Sequence, residues 1–330
     1  METQHTQTYL VTGGAGFVGS HLCELLLTEG HQVLAIDNLS TGRLENIAAL
    51  LKHPRFHFAR ASITDEIVMD RMAAQSDVII HLAAAVGVRL VIEQPVHTLE
   101  TNIMGTEAVL KSALRYRCRV LLASTSEVYG KGSKIPFSEA DDVLLGPTAI
   151  ARWGYAASKM VDEFLGLAYH HEYGLDVTPF RLFNTVGPRQ SSRYGMVIPK
   201  FVQQALRSEP ITVHGDGQQT RCFCDVGDVI RAIYGLAQVP DTTGQVFNIG
   251  GDEEISILEL ANRVKDLTDS ASEIRLIPYT DVFAVGGFED MQRRVPSIER
   301  IKAHIGWQPQ RDLNAILQGV IDYEVAALNP

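Results

Sequence analysis

The sequence predicts an α/β protein in which a doubly wound parallel sheet carries helices on both faces and is followed by a smaller, mostly helical C-terminal part. Apolar runs of strand length recur between amphipathic helical stretches, which is typical of buried parallel strands. This alternation stops near Pro188, and helical patterns dominate beyond it. The predicted strands are residues 8–12, 32–36, 56–60, 77–82 and 119–123, and the helices around them include 16–29, 101–116 and 154–173.

The C-terminal part has its own pattern. A strand is predicted at 211–214, ahead of the turn Gly215-Asp216-Gly217, and a helix is predicted to begin at Val226. Further helices are predicted at 198–206, 257–268 and 313–327. For a chain of 330 residues we therefore expect two domains, 1–188 and 189–330, with some later segments returning to the first.

Charge and composition exclude several classes of protein. The formal net charge of −10 argues against sequence-independent binding of nucleic acid, which requires Lys and Arg to displace counterions. No apolar run approaches the roughly 20 residues that span a bilayer, and the N-terminal METQHTQT lacks the regions of a signal peptide. We expect a cytoplasmic protein without membrane contact.

The four cysteines, Cys23, Cys118, Cys222 and Cys224, are scattered along the chain. Cys222 and Cys224 should lie on the same side of a strand, but no second pair of Cys or His is spaced to complete a zinc site. We expect reduced structural thiols and no metal.

A glycine-rich turn follows the first predicted strand. In the stretch from Thr12 to Gly19, Gly13 permits a tight turn, Gly16 lets the backbone approach a pyrophosphate, and Gly19 lets helix and sheet pack closely. The second strand leads to Asp37, whose carboxylate can accept hydrogen bonds from ribose hydroxyls and would repel a 2′-phosphate. This pattern predicts that residues 1–188 form a Rossmann-like domain that binds NAD in preference to NADP.

Tyr155 and Lys159 are four residues apart on a predicted helix, and this spacing puts both side chains on one face. A phenol with a pKa near 10 needs about 4 kcal/mol of differential stabilisation to act as a base near neutral pH. A neighbouring ammonium and the positive nicotinamide ring of NAD could supply it. Thr125, at the mouth of the fifth strand, could hydrogen-bond the same substrate oxygen. Together these residues indicate oxidation of a hydroxyl group.

The sequence resembles the extended short-chain dehydrogenases/reductases that act on nucleotide sugars as epimerases, dehydratases and decarboxylases. The resemblance runs essentially end to end, through the segments TGGAGFVGSHL, IDNLSTGR, HLAA, TNIMGTE, STSEVYG, YAASK, RLFNTVGPR, GDGQQTRCF and VFNIGG. It implies that NAD oxidises C4 of a UDP-sugar to a 4-keto intermediate, with Tyr155 as the base. The cofactor-binding residues expected are Gly13, Gly16, Phe17, Val18, Asp37, Asn38, Ser40, Thr41, Gly42, Ser62, Ile63, Leu82, Ala83, Ala84, Ser124, Tyr155 and Lys159.

Glu127 bears on which reaction follows the oxidation. Burying a carboxylate costs free energy unless the group is paired or takes part in the chemistry. The resemblance of Arg152 and of the stretch 288–298 to UDP-glucuronate decarboxylases favours a uronate substrate, whose carboxylate an arginine fork would recognise. Oxidation at C4 would make this substrate a β-keto acid, and Glu127 would shape the site or pass protons. The catalytic residues expected are Thr125, Glu127, Tyr155 and Lys159.

Other functions stay open. A UDP-sugar 4-epimerase, acting on glucose or glucuronate, is the main alternative, and there Glu127 could simply cap a turn or pair with a structural arginine. A 4,6-dehydratase would use Glu127 to remove the C5 proton, although Ser126 stands where such enzymes often have a second acid. Val86 and Ser126 replace the two cysteines of apiose-forming enzymes. A non-catalytic NAD-binding module commonly lacks the tyrosine or lysine that Tyr155 and Lys159 provide.

The resemblance also implies a nucleotide-sugar-binding role for residues 189–330. Asn184, Arg221 and an arginine of the pair Arg293-Arg294 should surround the diphosphate. The full set of substrate-binding residues expected is Ser126, Arg152, Asn184, Val197, Lys200, Arg221 and Arg294, with Val197 and Lys200 near the base. Ser62-Ile63 departs from the usual acid near the adenine. Helices 101–116 and 154–173 should form a homodimer through a four-helix bundle.

Overall fold

The computed structural model describes residues 6–192, 196–282 and 289–328 of the chain. The first five residues of the N-terminal stretch and Phe288 lie outside the described residues. Within the described part, seven parallel strands form the main sheet, in the order β11-β6-β5-β4-β1-β2-β3. These strands are β1 (Thr8–Thr12), β2 (Gln32–Asp37), β3 (Phe56–Arg60), β4 (Val78–His81), β5 (Arg119–Thr125), β6 (Val177–Leu182) and β11 (Phe247–Ile249).

Alternate residues of each central strand enter two different cores, because successive side chains of a strand point to opposite faces. In β1, Tyr9 and Val11 pack into one core and Leu10 packs into the other. The first face is covered by helices α1 (Phe17–Thr28), α7 (Val226–Gln238) and α10 (Glu299–Ile305). The second face is covered by α2 (Glu66–Ala73), α4 (Pro95–Tyr116) and α5 (Arg152–Tyr173). The sheet is therefore buried on both sides, which explains the uninterrupted apolar runs of its strands.

Most helices begin and end close to the predicted positions. Helix α4 is longer than predicted, because Pro95 at its first position is compatible with a helix start, six residues before the predicted one. The helices are α1 (Phe17–Thr28), α2 (Glu66–Ala73), α3 (Val88–Glu93), α4 (Pro95–Tyr116), α5 (Arg152–Tyr173), α6 (Val197–Leu206), α7 (Val226–Gln238), α8 (Ile257–Leu267), α9 (Tyr279–Val282), α10 (Glu299–Ile305) and α11 (Leu313–Leu328).

A separate apolar core lies in the C-terminal part, where α6, α8 and α11 pack against β8. Three small sheets accompany it: β10 with β7, β12 with β9 and β14, and β13 with β8. Their strands are β7 (Thr185–Val186), β8 (Ile211–His214), β9 (Thr220–Cys222), β10 (Cys224–Asp225), β12 (Glu254–Ser256), β13 (Ile274–Ile277) and β14 (Arg293–Arg294). In contrast, α7, β11 and α10 pack into the first core, as expected for later segments that return to it.

All four cysteines are unpaired and buried. Cys23 and Cys224 lie in the core with α1 and α7, and Cys118 lies in the core on the opposite face of the sheet. Burial raises the pKa of Cys118 to about 11 and that of Cys222 to about 12. Across residues 6–192, 196–282 and 289–328, no cluster of His, Cys, Asp or Glu is arranged to hold a metal, and no helix is long and apolar enough to cross a membrane.

Candidate active site

A cleft opens at the edge of the main sheet where the parallel strands end, the usual place for a ligand in an open α/β fold. It consists of two adjoining cavities of about 530 Å³ and about 540 Å³, which share Gly13, Asp37 and Ala83 in their walls. We call the part around Gly13, Asp37 and Ser62 the glycine end. The arginine end is the part formed by Glu127, Arg152, Arg221, Asp290 and Arg294, which all line the second cavity.

Backbone contacts leave no room for side chains in the glycine-rich turn. Gly13 has φ of +71°, a conformation that favours glycine. A Cβ added to Gly19 would lie 2.1 Å from the carbonyl oxygen of Gly13, and one added to Gly13 would lie 3.0 Å from the backbone nitrogen of Ala83. The turn leads directly into α1, whose first residues, Phe17 to Gly19, line the second cavity. The free backbone N–H groups at the start of a helix favour an anion.

Asp37 ends β2 at the glycine end of the cleft. Its carboxylate accepts hydrogen bonds from the backbone N–H groups of Leu39 at 2.7 Å and Ala15 at 3.1 Å. Burial raises the pKa of the Asp37 carboxyl, against these hydrogen bonds. A Cβ on Gly42 would lie 2.7 Å from the same carboxylate, so Gly42 makes room for Asp37 but does not itself line either cavity.

Ser62 and Ile63 line the cavity at the glycine end. The Ser62 hydroxyl is engaged locally with the Thr64 hydroxyl at 2.8 Å. Ile63 is buried and presses on Gly105 of α4, where an added Cβ would lie 2.3 Å from its side chain. This wall of the cavity therefore presents an apolar surface and a small hydroxyl in place of a carboxylate.

Tyr155, Thr125 and Lys159 meet in the middle of the cleft, as the sequence predicts. The Thr125 hydroxyl hydrogen-bonds the Tyr155 phenol. The Lys159 ammonium donates to Asp162, with 2.7 Å between Nζ and Oδ2, and this ion pair is almost completely buried. The sequence interpretation did not include Asp162.

The pKa of the Tyr155 phenol is raised, which is opposite to the lowering expected from Lys159 alone. Burial is the main cause, and the Glu127 carboxylate raises this pKa further, against the hydrogen bond from Thr125. Asp162 also raises it, because its negative charge lies next to the Lys159 ammonium that should lower it. In the protein alone the phenol is therefore neutral.

At the arginine end, Glu127 faces two arginines from distant parts of the chain. Its Oε1 lies 3.2 Å from Nη2 of Arg294 and 3.7 Å from Nη2 of Arg152. The backbone N–H of Glu127 also donates to the Thr125 hydroxyl at 3.3 Å, which caps the short 3-10 helix at 126–129. The residue that caps this turn is therefore Thr125 and not Glu127, and the ion-pair partners of Glu127 are the arginines expected to bind substrate.

Asp290 joins Arg152 to Arg221. Its Oδ1 accepts from Arg152 at 2.9 Å and from Arg221 at 2.7 Å, while Tyr279 donates to Oδ2 at 3.1 Å. Although burial opposes the charged form, the two arginines lower the pKa of the Asp290 carboxyl to about 2. Burial and the nearby Arg294 lower the pKa of Arg221 to about 10. Three arginines therefore share two carboxylates, a positively charged surrounding that favours an anionic ligand.

The structure brings almost all of the expected residues to this cleft. All expected substrate-binding and catalytic residues line the second cavity, and every expected cofactor-binding residue except Gly42 lines one of the two. Ser124 lines the cleft while its hydroxyl donates to Glu163, and Asn184 donates to the Cys222 carbonyl at 2.9 Å. Of the pair on β14, Arg294 faces the cleft and Arg293 pairs with Glu254 on the surface.

Sequence reasoning missed Asn102 and Asp290 as well as Asp162. Asn102 is buried on α4, where its amide accepts from the backbone of Ala85 at 2.8 Å and donates to Ser158 at 3.0 Å. It therefore ties the loop after β4 to the helix of Tyr155. The segment TNIMGTE, which supports the family resemblance, contains Asn102 and was a signal that could have identified it. Nothing local in the sequence distinguished Asp290 from a surface acid.

Comparison with known proteins agrees with this geometry. Residues 9–250 match the NAD dependent epimerase/dehydratase family, which is most of the chain. The chain belongs to this family. Its cofactor is accordingly NAD, and structures of relatives that were solved with NAD bound include a dTDP-glucose 4,6-dehydratase from Streptomyces venezuelae, with a TM-score of 0.88 and 28% sequence identity over 98% of each chain.

Curated members of the family that are similar to this chain include decarboxylases. A UDP-N-acetyl-alpha-D-glucosaminuronate decarboxylase from Bacillus cytotoxicus is 41% identical over 91% of this chain and 92% of its own. UDP-glucuronic acid decarboxylase 1 from Arabidopsis thaliana is 38% identical over 97% of this chain and 70% of its own. Among solved structures, UDP-glucuronic acid 4-epimerase from Bacillus cereus, in complex with UDP-glucuronic acid and NAD, has a TM-score of 0.87 and 28% identity, and covers 97% of this chain and 99% of its own.

Proposed function

We propose that this protein is an NAD-dependent UDP-hexuronate decarboxylase, with UDP-glucuronate as its substrate. The observation that carries the proposal is the pair of Arg152, which is buried, and Arg294, whose side chain is 11% exposed, beside Tyr155 and Thr125. A guanidinium pair in a closed site is suited to a carboxylate, and a neutral hexose offers it none. The similarity to curated decarboxylases at 36–41% identity supports the same activity.

In the proposed reaction, the residues of the glycine end would hold NAD, which would supply the acceptor for the hydride from C4 of the sugar. Tyr155 takes the proton of the C4 hydroxyl as general base, and Lys159 and Thr125 orient the phenol and the sugar oxygen. The resulting ketone is β to the C6 carboxylate, so the C5–C6 bond breaks and its electron pair moves to the C4 oxygen. Thr125 and Tyr155 stabilise this enolate by hydrogen bonds, and C5 then receives a proton. Carbon dioxide leaves, and the pentose would form by return of the same hydride to C4, with the proton held by Tyr155 going to the C4 oxygen.

Glu127 shapes the arginine end around the substrate. In the structure its carboxylate pairs with Arg294 and Arg152, the partners proposed for the C6 carboxylate. We propose that the substrate competes with Glu127 for Arg294, so that Glu127 is displaced towards the sugar and can pass protons. The arginine end would then recognise both the size and the negative charge of the uronate.

A UDP-sugar 4-epimerase is the second candidate. Solved epimerases align over nearly the whole chain, including UDP-glucose 4-epimerase from Thermotoga maritima, with a TM-score of 0.88 and 29% identity. An epimerase would need the 4-keto sugar to rotate in the cleft before reduction. The 4,6-dehydratase alternative is weaker, because Glu127 is paired with arginines and Ser126 stands beside it.

Separate incubation with UDP-glucuronate, UDP-N-acetylglucosaminuronate and UDP-glucose tests the proposal. We expect the protein with NAD to release carbon dioxide and form a UDP-pentose from UDP-glucuronate, as followed by mass. Unchanged mass with an inverted C4 would instead establish the epimerase. Comparison of the two uronates would show whether the cleft accepts an N-acetyl group at C2, as the name of the Bacillus cytotoxicus relative suggests for that protein.

We also propose the binding roles of the individual residues and a division of labour between the two parts of the chain. Residues 1–188, with α7, β11 and α10, would hold NAD at the glycine end. Residues 189–330 would supply the walls for the uridine diphosphate, with Arg221 near the phosphates and Val197 and Lys200 near the base. Lys200 and His214 contact each other at 3.2 Å in this wall, and burial lowers the pKa of both.

A homodimer through α4 and α5 is proposed because these helices expose large apolar side chains. Phe164 is 65% exposed, Val96 66% and Met104 57%. An exposed apolar surface of this kind is typical of an interface, and a copy of the same helices would cover it as a four-helix bundle. We expect the protein to sediment as a dimer and Phe164→Asp to sediment as a monomer.

A cytoplasmic location is also proposed. The four buried, unpaired thiols and the nucleotide cofactor support it, because disulfides form mainly in oxidising compartments. Cell fractionation with an antibody to the protein would test this.

A further inference from the structure

Asp162, the buried partner of Lys159, has no role in the reaction proposed above. Asp162 is 0% exposed and lies one helical turn after Lys159 on α5. Burying a carboxylate beside an ammonium is costly in desolvation, so a pair that only stabilised α5 could be replaced by apolar side chains. Its position next to the proposed base indicates a function in the site.

A chain of buried hydrogen bonds connects this region to the glycine-rich turn. The Thr12 hydroxyl oxygen, at the end of β1, accepts from the backbone N–H groups of Leu82 and Ala83, both at 3.1 Å. Because these two bonds use its lone pairs, the Thr12 O–H donates to Nδ1 of His81 at 2.8 Å. Because Nδ1 of His81 accepts this hydrogen bond, Nδ1 carries no proton.

His81 is neutral, because burial and the nearby Lys159 lower its pKa to about 3. A neutral imidazole has one N–H, and since Nδ1 accepts, Nε2 carries the proton and donates to the Thr106 hydroxyl at 3.1 Å. The O–H of Thr106 then points away from His81. Burial raises the pKa of the nearby Asp162 carboxyl, and Lys159 and the Thr106 hydroxyl act against this shift. The chain of hydrogen bonds thus runs in one direction, from Thr12 through His81 to Thr106, which lies beside Asp162.

We propose that Asp162 is a positioning residue, which fixes the Lys159 ammonium through their buried ion pair and limits its effect on Tyr155. This rests on the proposed roles of Tyr155 and Lys159. The same oxygen of Thr12 anchors the backbone of Leu82 and Ala83 in the cofactor wall. The buried hydrogen bonds from Thr12 therefore set the cofactor wall, and the ion pair beside their far end sets the position of the lysine.

The electrostatic part of the proposal depends on the charges that face the phenol. These are Glu127 after β5, Lys159 and Asp162 on α5, and Arg294 on β14. Asp162 itself faces Lys159, Glu163 and the Thr106 hydroxyl. Removing the charge of Asp162 leaves the Lys159 ammonium unbalanced near Tyr155, so the phenol should lose its proton at lower pH.

Asp162→Asn in the full chain tests both parts. The acidic limb of the pH profile of kcat/KM should move down by about 0.5 to 1 pH unit, because a negative charge near the phenol is lost. The affinity for NAD, measured by calorimetry, should fall about 3- to 10-fold, because Lys159 is no longer held in one place. The NAD measurement needs no sugar, so failure of the decarboxylase reaction cannot be mistaken for failure of this proposal.

Asp228→Asn is the matched control, since Asp228 is also a buried acid that pairs with a basic residue three positions on, Arg231. It should lower thermal stability and leave the pH profile and the NAD affinity unchanged. If Asp162→Asn does not fold, Asp162→Ser, which also removes the charge beside Lys159 and keeps a small polar side chain, replaces it. The proposal is wrong if the acidic limb stays in place or moves up, or if NAD binds the Asp162 variant as it binds the wild type.

Discussion

Backbone atoms shape the glycine end of the cleft, whereas side-chain charges shape its arginine end. At the glycine end, Gly13, Gly19 and Asp37 lie close together in the sequence, and their contacts are with backbone N–H and C=O groups. At the arginine end, Glu127, Arg152 and Arg294 come from three distant segments, and ion pairs join Glu127 to the two arginines. The backbone geometry of the glycine end suits a cofactor that many enzymes share. The side chains of the arginine end can differ between enzymes for different sugars while the glycine end stays the same.

Tyr155 lies where the two ends meet, so its loss should have the largest effect. We expect Tyr155→Phe to reduce turnover of the UDP-sugar by about 10³- to 10⁴-fold, because the general base is removed, while NAD still binds. Tyr169→Phe on the same helix is the control, and its turnover should match the wild type. Wild-type turnover by Tyr155→Phe would refute the proposed mechanism.

Gly19→Ala tests whether the glycine end depends on backbone geometry. The new Cβ would lie 2.1 Å from the Gly13 carbonyl oxygen, so the turn must move, and we expect NAD affinity to fall about 100-fold or more. Gly154→Ala is the control, because its Cβ would meet only a side-chain atom of Leu99 at 4.0 Å. Calorimetry with NAD measures both. Equal affinities would show that the turn tolerates a side chain.

Arg294→Gln tests the charge of the arginine end. We expect kcat/KM for UDP-glucuronate to fall about 100-fold, because a charged hydrogen bond to the substrate carboxylate is lost. Binding of the neutral UDP-glucose should change much less. Arg293→Gln, at the adjacent surface residue that pairs with Glu254, should leave both unchanged. An equal loss for the acidic and the neutral sugar would place Arg294 on the diphosphate instead.

Asp290 should make the stability of the arginine end depend on pH. Its pKa of about 2 in the folded protein is below the ordinary 3.8. The ionised carboxylate therefore contributes its full share of the unfolding free energy above about pH 4, and this share is lost as pH falls towards 2. This shift corresponds to about 2 kcal/mol of unfolding free energy. Urea unfolding should show that Asp290→Asn is destabilised by at least about this amount at neutral pH and that the difference shrinks in acid. The exposed Asp266→Asn should show no such trend.

Glu127→Gln should have the smallest effect on turnover. We expect decarboxylation to slow about 10-fold, since the amide keeps the shape of the side chain but cannot carry a proton. The acidic limb of the pH profile should move down, because the Glu127 carboxylate raises the pKa of Tyr155. Glu107→Gln on the exposed face of α4 is the control. Unchanged turnover and an unchanged limb would leave Glu127 with a purely structural role.

The glycine end was predictable because its determinants are local. The turn, Asp37 and the pair Tyr155 and Lys159 each follow from spacing along one strand or helix, and in the structure they line one cavity. β6 and β11, which complete the sheet, were not predicted as strands. β11 has only three residues, too few for a clear periodic pattern.

The arginine end was predictable only in part. The assignment of Arg294 and not Arg293 to the cleft depends on which side of β14 faces inward, and a strand of two residues does not reveal this from sequence. Asp162 and Asp290 were missed, because an acid shows its buried partner only when the chain is folded. Burial and the Glu127 carboxylate, which raise the pKa of Tyr155 in the protein alone, likewise become evident only in the folded chain.

Because all four thiols are buried, the rate at which each one is alkylated reports how often the surrounding structure opens. Thiolates react with alkylating agents and thiols do not, and burial raises the pKa of each cysteine. Alkylation of the native protein therefore requires a transient exposure of the residue. Cys23 and Cys118 lie on opposite faces of the sheet, so the rates of modification of these two thiols, resolved by peptide mass mapping, would time the opening of the two helical layers separately.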